Sequence, residues 1–204
     1  MRPNRIIVAV TNDLVTDQRV DRVCRSLVRM GFEVLLVGRK RKSSLPLKPR
    51  EYRTRRMRLL FGKGPWFYAD YNLSLFLLIL FSRCQVVLTN DLDTLPGGYL
   101  AAKIRRIPHI HDCHEYFRGV PELNDRSRTS RIWKYLEDRI FPKLRTVYAV
   151  NASVAGLYKK EYGNEISVIR NVPLRKTETG QRSKAERGIP EGRRVLLYQG
   201  ALNI

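Results

Sequence analysis

The chain of 204 residues reads as an α/β protein, a Rossmann-like parallel sheet with helices on both faces. Three observations predict this class. Short apolar runs without polar alternation are what strands buried on both faces of a parallel sheet look like. Between Arg5 and Ile169 these runs alternate with stretches whose apolar residues recur at helical spacing. Polar residues then gather where the runs end, which is where open α/β sheets bind ligands.

Each element follows from its residues. Residues 5–11 (RIIVAVT) form the first strand, and the run is too short before Asn12 and Asp13 to be a signal peptide. After a polar loop at 12–17, residues 18–30 set Val20, Val23, Cys24, Leu27 and Val28 on one helical face, with arginines on the other. Asp17 is placed to cap this helix and Gly31 to stop it. Residues 33–38 (EVLLVG) complete a βαβ unit. Residues 73–81 (LSLFLLILF) are apolar all round, yet nine residues fall short of the ~20 that cross a bilayer. A helix buried under the sheet is one reading, and insertion into a membrane interface beside Trp66, Phe67 and nearby cations is the other.

A strand at 85–89 runs into Asn90, Asp91, Leu92 and Asp93, and a helix starts at Thr94 with Pro96 in its first turn. Gly97, Gly98, Ala101 and Ala102 give that helix a thin side for close packing. The strand at 108–112 leads to a polar segment at 119–129 and a helix at 131–141 that turns Ile132, Trp133, Leu136, Ile140 and Phe141 inward. A strand at 147–150, a helix between Asn151 and Gly163, and a strand at 166–169 leave Arg170 and Asn171 at its C-terminal edge. Residues 1–173 thus form the first domain. The hydrophilic residues 174–194 read as an interdomain linker, and VLLYQ opens a second domain at 195–204. A strand without partners is no domain, so the sequence looks like the first half of a two-domain protein.

The net charge is +20, and its distribution matters more than its size. Between Arg39 and Arg58, Arg39, Lys40, Arg41, Lys42, Lys48, Arg50, Arg53, Arg55, Arg56 and Arg58 face Glu51 alone, a surplus of +9. Such a segment suits an anionic membrane leaflet, nucleic acid or a phosphorylated ligand, or else it is a solvated loop. Three scattered cysteines point to a reducing cytosol, with neither a disulfide framework nor a zinc cluster.

All three histidines, His109, His111 and His114, lie within PHIHDCHEYF at 108–117, which confines proton exchange near neutral pH to one place. Alternation puts His109 and His111 on one strand face as half-buried residues, with His114 beyond the strand end. Adjacent Cys113 and His114 point apart, so a thiol dyad is disfavoured, and no further ligands support a metal. Asp91-Leu92-Asp93 spells a D-x-D, but Asp93 or Thr94 is also needed as a helix cap. Neither G-x-G-x-x-G after the first strand nor a P-loop occurs, which excludes a dinucleotide or P-loop reading.

The stretches VTNDLVTDQRVDRVCRSLVRMGFEVLLVGR, TNDLDTLPGGYLAAK, HDCHEYF, VIRNVP and YQGALN, in this order, resemble the N-terminal half of the GT-B glycosyltransferases of family 4, also called group 1. The resemblance implies retaining transfer of a hexose-type sugar from a nucleotide-sugar, itself substrate and not cofactor, to a glycan or lipid-linked acceptor. It implies that His114 faces the transferred sugar, oriented by Asp112 and Glu115. Asn12, Asp13, Asp17, Asp91, Arg170 and Asn171 would line the acceptor side, and Gly200 and Asn203 the donor side. Glu178 and Glu186 have the family's E-x7-E spacing but sit in the linker, a chance match. The acidic pair is expected beyond Ile204, so the chain alone should be inactive. Arg39 to Lys42 with Arg53, Arg55, Arg56 and Arg58 would meet the inner face of the plasma membrane from the cytoplasm. The alternative is a noncatalytic binding module whose basic face takes nucleic acid or phosphorylated ligands. Nucleic acid is disfavoured because Tyr52 is the lone aromatic among those cations.

Overall fold

The computed structural model describes residues 4–117, 127–172, 183–190 and 192–196. Contacts divide the chain into two compact units, Met1–Asn171 and Val172–Ile204. In the first unit, strands β1 (Arg5–Ala9), β2 (Glu33–Lys40), β3 (Arg53–Arg58), β4 (Val86–Asn90), β5 (His109–Cys113), β6 (Thr146–Ala149) and β7 (Ser167–Val168) form one sheet. Its order is β3-β2-β1-β4-β5-β6-β7, and every described pairing is parallel. Helices α1 (Gln18–Arg29), α2 (Gly64–Leu80), α3 (Leu95–Arg105), α4 (Ser127–Ile140) and α5 (Ala152–Tyr162) provide the connections described.

Both sheet faces are covered, as a parallel sheet requires. Ile7 and Ala9 of β1 pack with Phe67, Tyr71, Leu75 and Ile79 of α2, while Ile6, Val8 and Val10 pack with Val20 and Cys24 of α1. Each such fully buried aliphatic side chain stabilises the fold by about 1.5–3 kcal/mol. The caps fall where the side chains dictate. Asp17 accepts from the Val20 amide, Asn151 accepts from the Val154 amide, and Gly163 ends α5 at φ 75.

Ile132, expected to turn inward, is 56% exposed, and three larger expectations change. Part of the basic window is not loop: Arg53–Arg58 is the edge strand β3, with Met57 buried and Arg53, Arg55 and Arg58 exposed. Arginines on an edge strand discourage pairing with another chain, and charge density hid the strand. The apolar helix is buried on one face alone. Phe67, Tyr71, Leu75 and Ile79 face the sheet, whereas Trp66, Leu73, Leu77 and Phe81 are 69, 60, 43 and 80% exposed. Third, Val195 and Leu196 are exposed and outside any strand, while residues 197–204, with Gly200 and Asn203, lie outside the described residues. So do residues 118–126 of the polar segment and 173–182 of the expected linker, Glu178 included.

The thin side of α3 is used as its residues foretell. A Cβ on Gly97 would stand 2.4 Å from the Asn72 carbonyl oxygen, and one on Gly98 would stand 2.2 Å from Cγ2 of Thr89. Helix α2 therefore crosses α3 at backbone contact. Asn72 uses the closeness, donating to the Asp93 carbonyl at 2.8 Å and accepting from the Gly97 amide at 2.8 Å. Gly97→Ala, which must push backbone against backbone, should lower unfolding free energy by roughly 1–3 kcal/mol. Urea denaturation reads this as a lower midpoint at unchanged slope.

Candidate active site

Strands β1, β2 and β3 are laid down in one direction from the centre and β4 to β7 in the other, so strand order reverses between β1 and β4. At such a reversal the loops diverge and leave a crevice beyond the C-terminal strand ends. The residues there are Thr11, Asn12 and Asp13 after β1, and Asp91 and Asp93 after β4. His114 follows β5 directly, next to β4.

Asp91 organises the crevice. It takes a left-handed backbone at φ 58, and its carboxylate accepts from the His114 amide at 3.0 Å. The other oxygen lies 3.4 Å from Nδ1 of His114, whose Nε2 lies 2.7 Å from Oδ2 of Asp112. The imidazole is clamped between two carboxyl groups and is only 4% exposed. Burial disfavours its charge, but the hydrogen bonds to Asp112 and Asp91 and their negative charge prevail, raising its pKa to about 10. Burial likewise opposes charge on Asp91, and the His114 contacts outweigh it, holding that carboxyl below its ordinary value. Asp93 has no such partner. Burial and the charge of Asp91 push it up to about 7, although the Thr11 hydroxyl donates to it at 2.5 Å.

His109 and His111 share a face, as alternation requires, and Oγ1 of Thr89 lies 2.9 Å from a ring nitrogen of each. A hydroxyl cannot balance an imidazolium. Burial lowers the pKa of His109 to about 3 and that of His111 to about 4, the neighbouring imidazole adding to the shift of His109. Burial also pushes the Cys113 thiol well up, so it offers no thiolate to a nucleophilic dyad.

Glu115, expected to help orient His114, is exposed, and Asp91 makes the second contact instead. The loop after β5 is held from behind by groups whose role periodicity did not reveal. The Tyr158 hydroxyl donates to buried Glu137 at 3.1 Å and accepts from the Phe117 amide at 3.3 Å. Glu137 also accepts from Tyr162 at 3.1 Å. A glutamate on a helix reads as a solvated residue, and its partners are distant in sequence.

The remaining candidates divide into groups. Asn12 donates to the Asp17 carboxylate and accepts from the Leu14 amide at 2.9 Å, so the first loop is braced from within. Asn12, Asp17 and Arg22 line an open cavity of about 440 Å³, and Arg22 reaches Asn171 at 2.6 Å. Asp13 is paired with Arg56 at 3.0 Å. Arg170 is exposed beyond β7, with no described contact to the His114 cluster. Within the basic patch, Arg53 and Arg56 bind Glu33 and Asp13, and Arg39 stacks on Phe67 at 4.5 Å. Lys40, Arg41, Lys42, Arg55 and Arg58 are exposed. No group of three or more potential metal ligands occurs among the described residues.

Fold and crevice together define an open α/β domain of the Rossmann class with its polar groups at the strand reversal. The chain belongs to glycosyltransferase family 4, whose model matches residues 17–172. Solved structures agree on the fold. Sucrose-phosphate synthase from Thermosynechococcus elongatus matches with TM-score 0.58 at 14% identity, over 82% of this chain and 48% of that one. Anabaena HepE in complex with UDP-glucose matches with TM-score 0.53 at 14% identity, over 82% and 43%. UDP-GlcNAc 2-epimerase from Methanocaldococcus jannaschii matches with TM-score 0.51 at 17% identity, over 82% and 45%. The chain thus spans about half the length of these proteins. No curated protein matches its sequence.

The opposite shifts of the histidines yield a measurable expectation. In proton NMR across pH 5–9, none of the three imidazole C–H signals should titrate fully, His109 and His111 staying neutral and His114 charged. A midpoint near 6.5 for any of them contradicts these environments. Because the folded pKa of His114 is raised, its contribution to stability is complete below the unfolded value near 6.5 and fades as pH rises toward about 10. His114→Gln should flatten that alkaline decline in urea midpoints.

Proposed function

We propose that this chain is the N-terminal, acceptor-side domain of a retaining hexosyltransferase that moves sugar from a nucleotide-sugar to a glycan or lipid-linked glycan. The observation that carries the reading is the His114 cluster at the strand reversal of a family 4 chain. Two carboxyl groups against one imidazole leave no surplus of positive charge. His114 therefore acts as an oriented hydrogen-bond donor to the transferred sugar, and not as a free base or a lone cation for the leaving diphosphate. Of its two contacts the 3.4 Å one to Asp91 is the longer, so Nδ1–H is the donor that a sugar hydroxyl takes over. Asp112 fixes the ring through the shorter contact, and Glu115 sits at the exposed rim.

The loop with Asn12, Asp13 and Asp17, together with Asp91, Arg170 and Asn171, forms the acceptor side. Gly200 and Asn203 belong to the donor side. In the full-length enzyme, His114→Ala should cut turnover by about 10²–10³-fold with the circular dichroism unchanged. Near-normal turnover removes the assigned role. The anomeric configuration of the first product, read by NMR, tests retention.

The same reading places the protein at the cytoplasmic face of the plasma membrane. No helix of the described residues is long and apolar enough to cross a membrane. Support for surface attachment is the outer face of α2, where Trp66, Leu73, Leu77 and Phe81 follow one another at helical spacing. Arg39 stacked on Phe67 brings the basic end of β2 against the first turn of this helix. Flotation with anionic liposomes should recover the protein, and Leu73→Glu should reduce recovery about tenfold. Equal recovery with neutral liposomes counts against the electrostatic part.

A further inference from the structure

Two cavities adjoin at the N-terminus of α2. One, of about 440 Å³, is lined by Thr11, Arg39, Arg41, Lys63 and the start of α2 at Gly64. The other, of about 270 Å³, lies between α2, α3 and α4 and is lined by Tyr68, Ala69, Pro96, Ile132, Trp133 and Leu136. Gly64 and Tyr68 belong to both walls. A cationic cup thus opens onto an apolar slot across one aromatic ring.

Both cavities touch the candidate active site. The Thr11 hydroxyl in the cup donates to Asp93, and Trp133 in the slot packs edge-on against Tyr68 and Phe117 at 5.1 and 5.4 Å. Phe117 lies on the His114 loop. Arg39, on the wall of the cup, keeps one donor without a partner among the described residues. Nε of Arg39 is buried without a hydrogen-bond partner among the described residues, while its Nη1 reaches the Gly62 carbonyl only at 3.4 Å. Lys63, the residue before α2, supplies no side-chain cap to the helix, whose first residue lines the same cup.

We infer that these cavities form one bipartite subsite for a lipid phosphate, an apolar chain ending in phosphate or diphosphate. The phosphate oxygens take the guanidinium groups of Arg39 and Arg41 and the ammonium of Lys63, which is the pairing that charge and geometry favour. The chain fills the slot beside Trp133. At roughly 30 Å³ per water-sized group, about 270 Å³ holds on the order of nine carbons, so the first stretch of a longer lipid is accommodated. Calling this lipid the acceptor rests on the glycosyltransferase reading, whereas binding itself does not.

The test is calorimetric titration of the intact chain with decyl phosphate below its micelle concentration, without any sugar donor. Decanol and inorganic phosphate serve as half-ligands. Because the two halves are linked, decyl phosphate should bind at least about tenfold more tightly than either. Arg41→Glu and Ile132→Asp, both at exposed positions on opposite sides of Tyr68, should each weaken it about tenfold. Decanol or phosphate binding as tightly as decyl phosphate overturns the proposal. So does affinity lost in Leu73→Glu and kept in Ile132→Asp, which moves the binding to the outer face of α2. Failure of sugar transfer in the full-length enzyme with this binding intact sinks the transferase reading alone.

Discussion

The register of β4 against β5 is the constraint on which the polar edge depends. Asn90 stands opposite Asp112, and one residue later the Asp91 amide donates to the Asp112 carbonyl at 2.9 Å. That bond meets Asp91 at a left-handed backbone, which aspartate adopts more readily than most residues other than glycine. In this turn the carboxylate lies back against the His114 amide and ring. A slip of one residue would carry Asp112 and His114 together to the opposite face and leave the imidazole without Asp91. The sheet interior, through the apolar packing of Val87 and Leu88, therefore decides where a proton sits at the surface edge.

Burial acts on all three histidines in the same direction, yet they end in opposite charge states. The difference is their partner. Thr89 offers a hydroxyl to His109 and His111, and a neutral group cannot repay the lost hydration of an imidazolium. His114 meets two carboxyl groups within 3.4 Å. A chain with one short segment holding every histidine thus has two structural imidazoles and one ion.

Periodicity made most of the fold legible. The strands at β1, β2, β4, β5 and β6 and the helices α1 and α5, with Asp17, Asn151 and Gly163 at their ends, fall within a few residues of where composition places them. Edge strand β3 was hidden because arginine marks solvent in a pattern, while an edge strand is half solvent. The division of the histidines could be read from alternation. Asp91 as the second clamp could not, since its role depends on a left-handed turn and on a neighbour that pairing brings in from 23 residues away. Glu137 and Tyr158 were hidden for the same reason, being joined through helix packing and not through local pattern.

The charge surplus has two physical explanations, and the structure separates them by residue. Arginines on β3 protect an open sheet edge, which accounts for Arg53, Arg55 and Arg58 without any ligand. Arg56 is occupied by Asp13 and Arg50 by Tyr52 and the Leu14 carbonyl. Edge protection does not reach Arg39, Arg41 and Lys63, which surround one cavity where β2 ends and α2 begins. Like charges gathered around a concave surface repel one another, and a folded protein keeps that arrangement at a loss of stability unless an anion shares it. Arg39 and Arg41 of the basic window, with Lys63 beyond it, and not the denser run along β3, are therefore the cations assigned to the proposed phosphate.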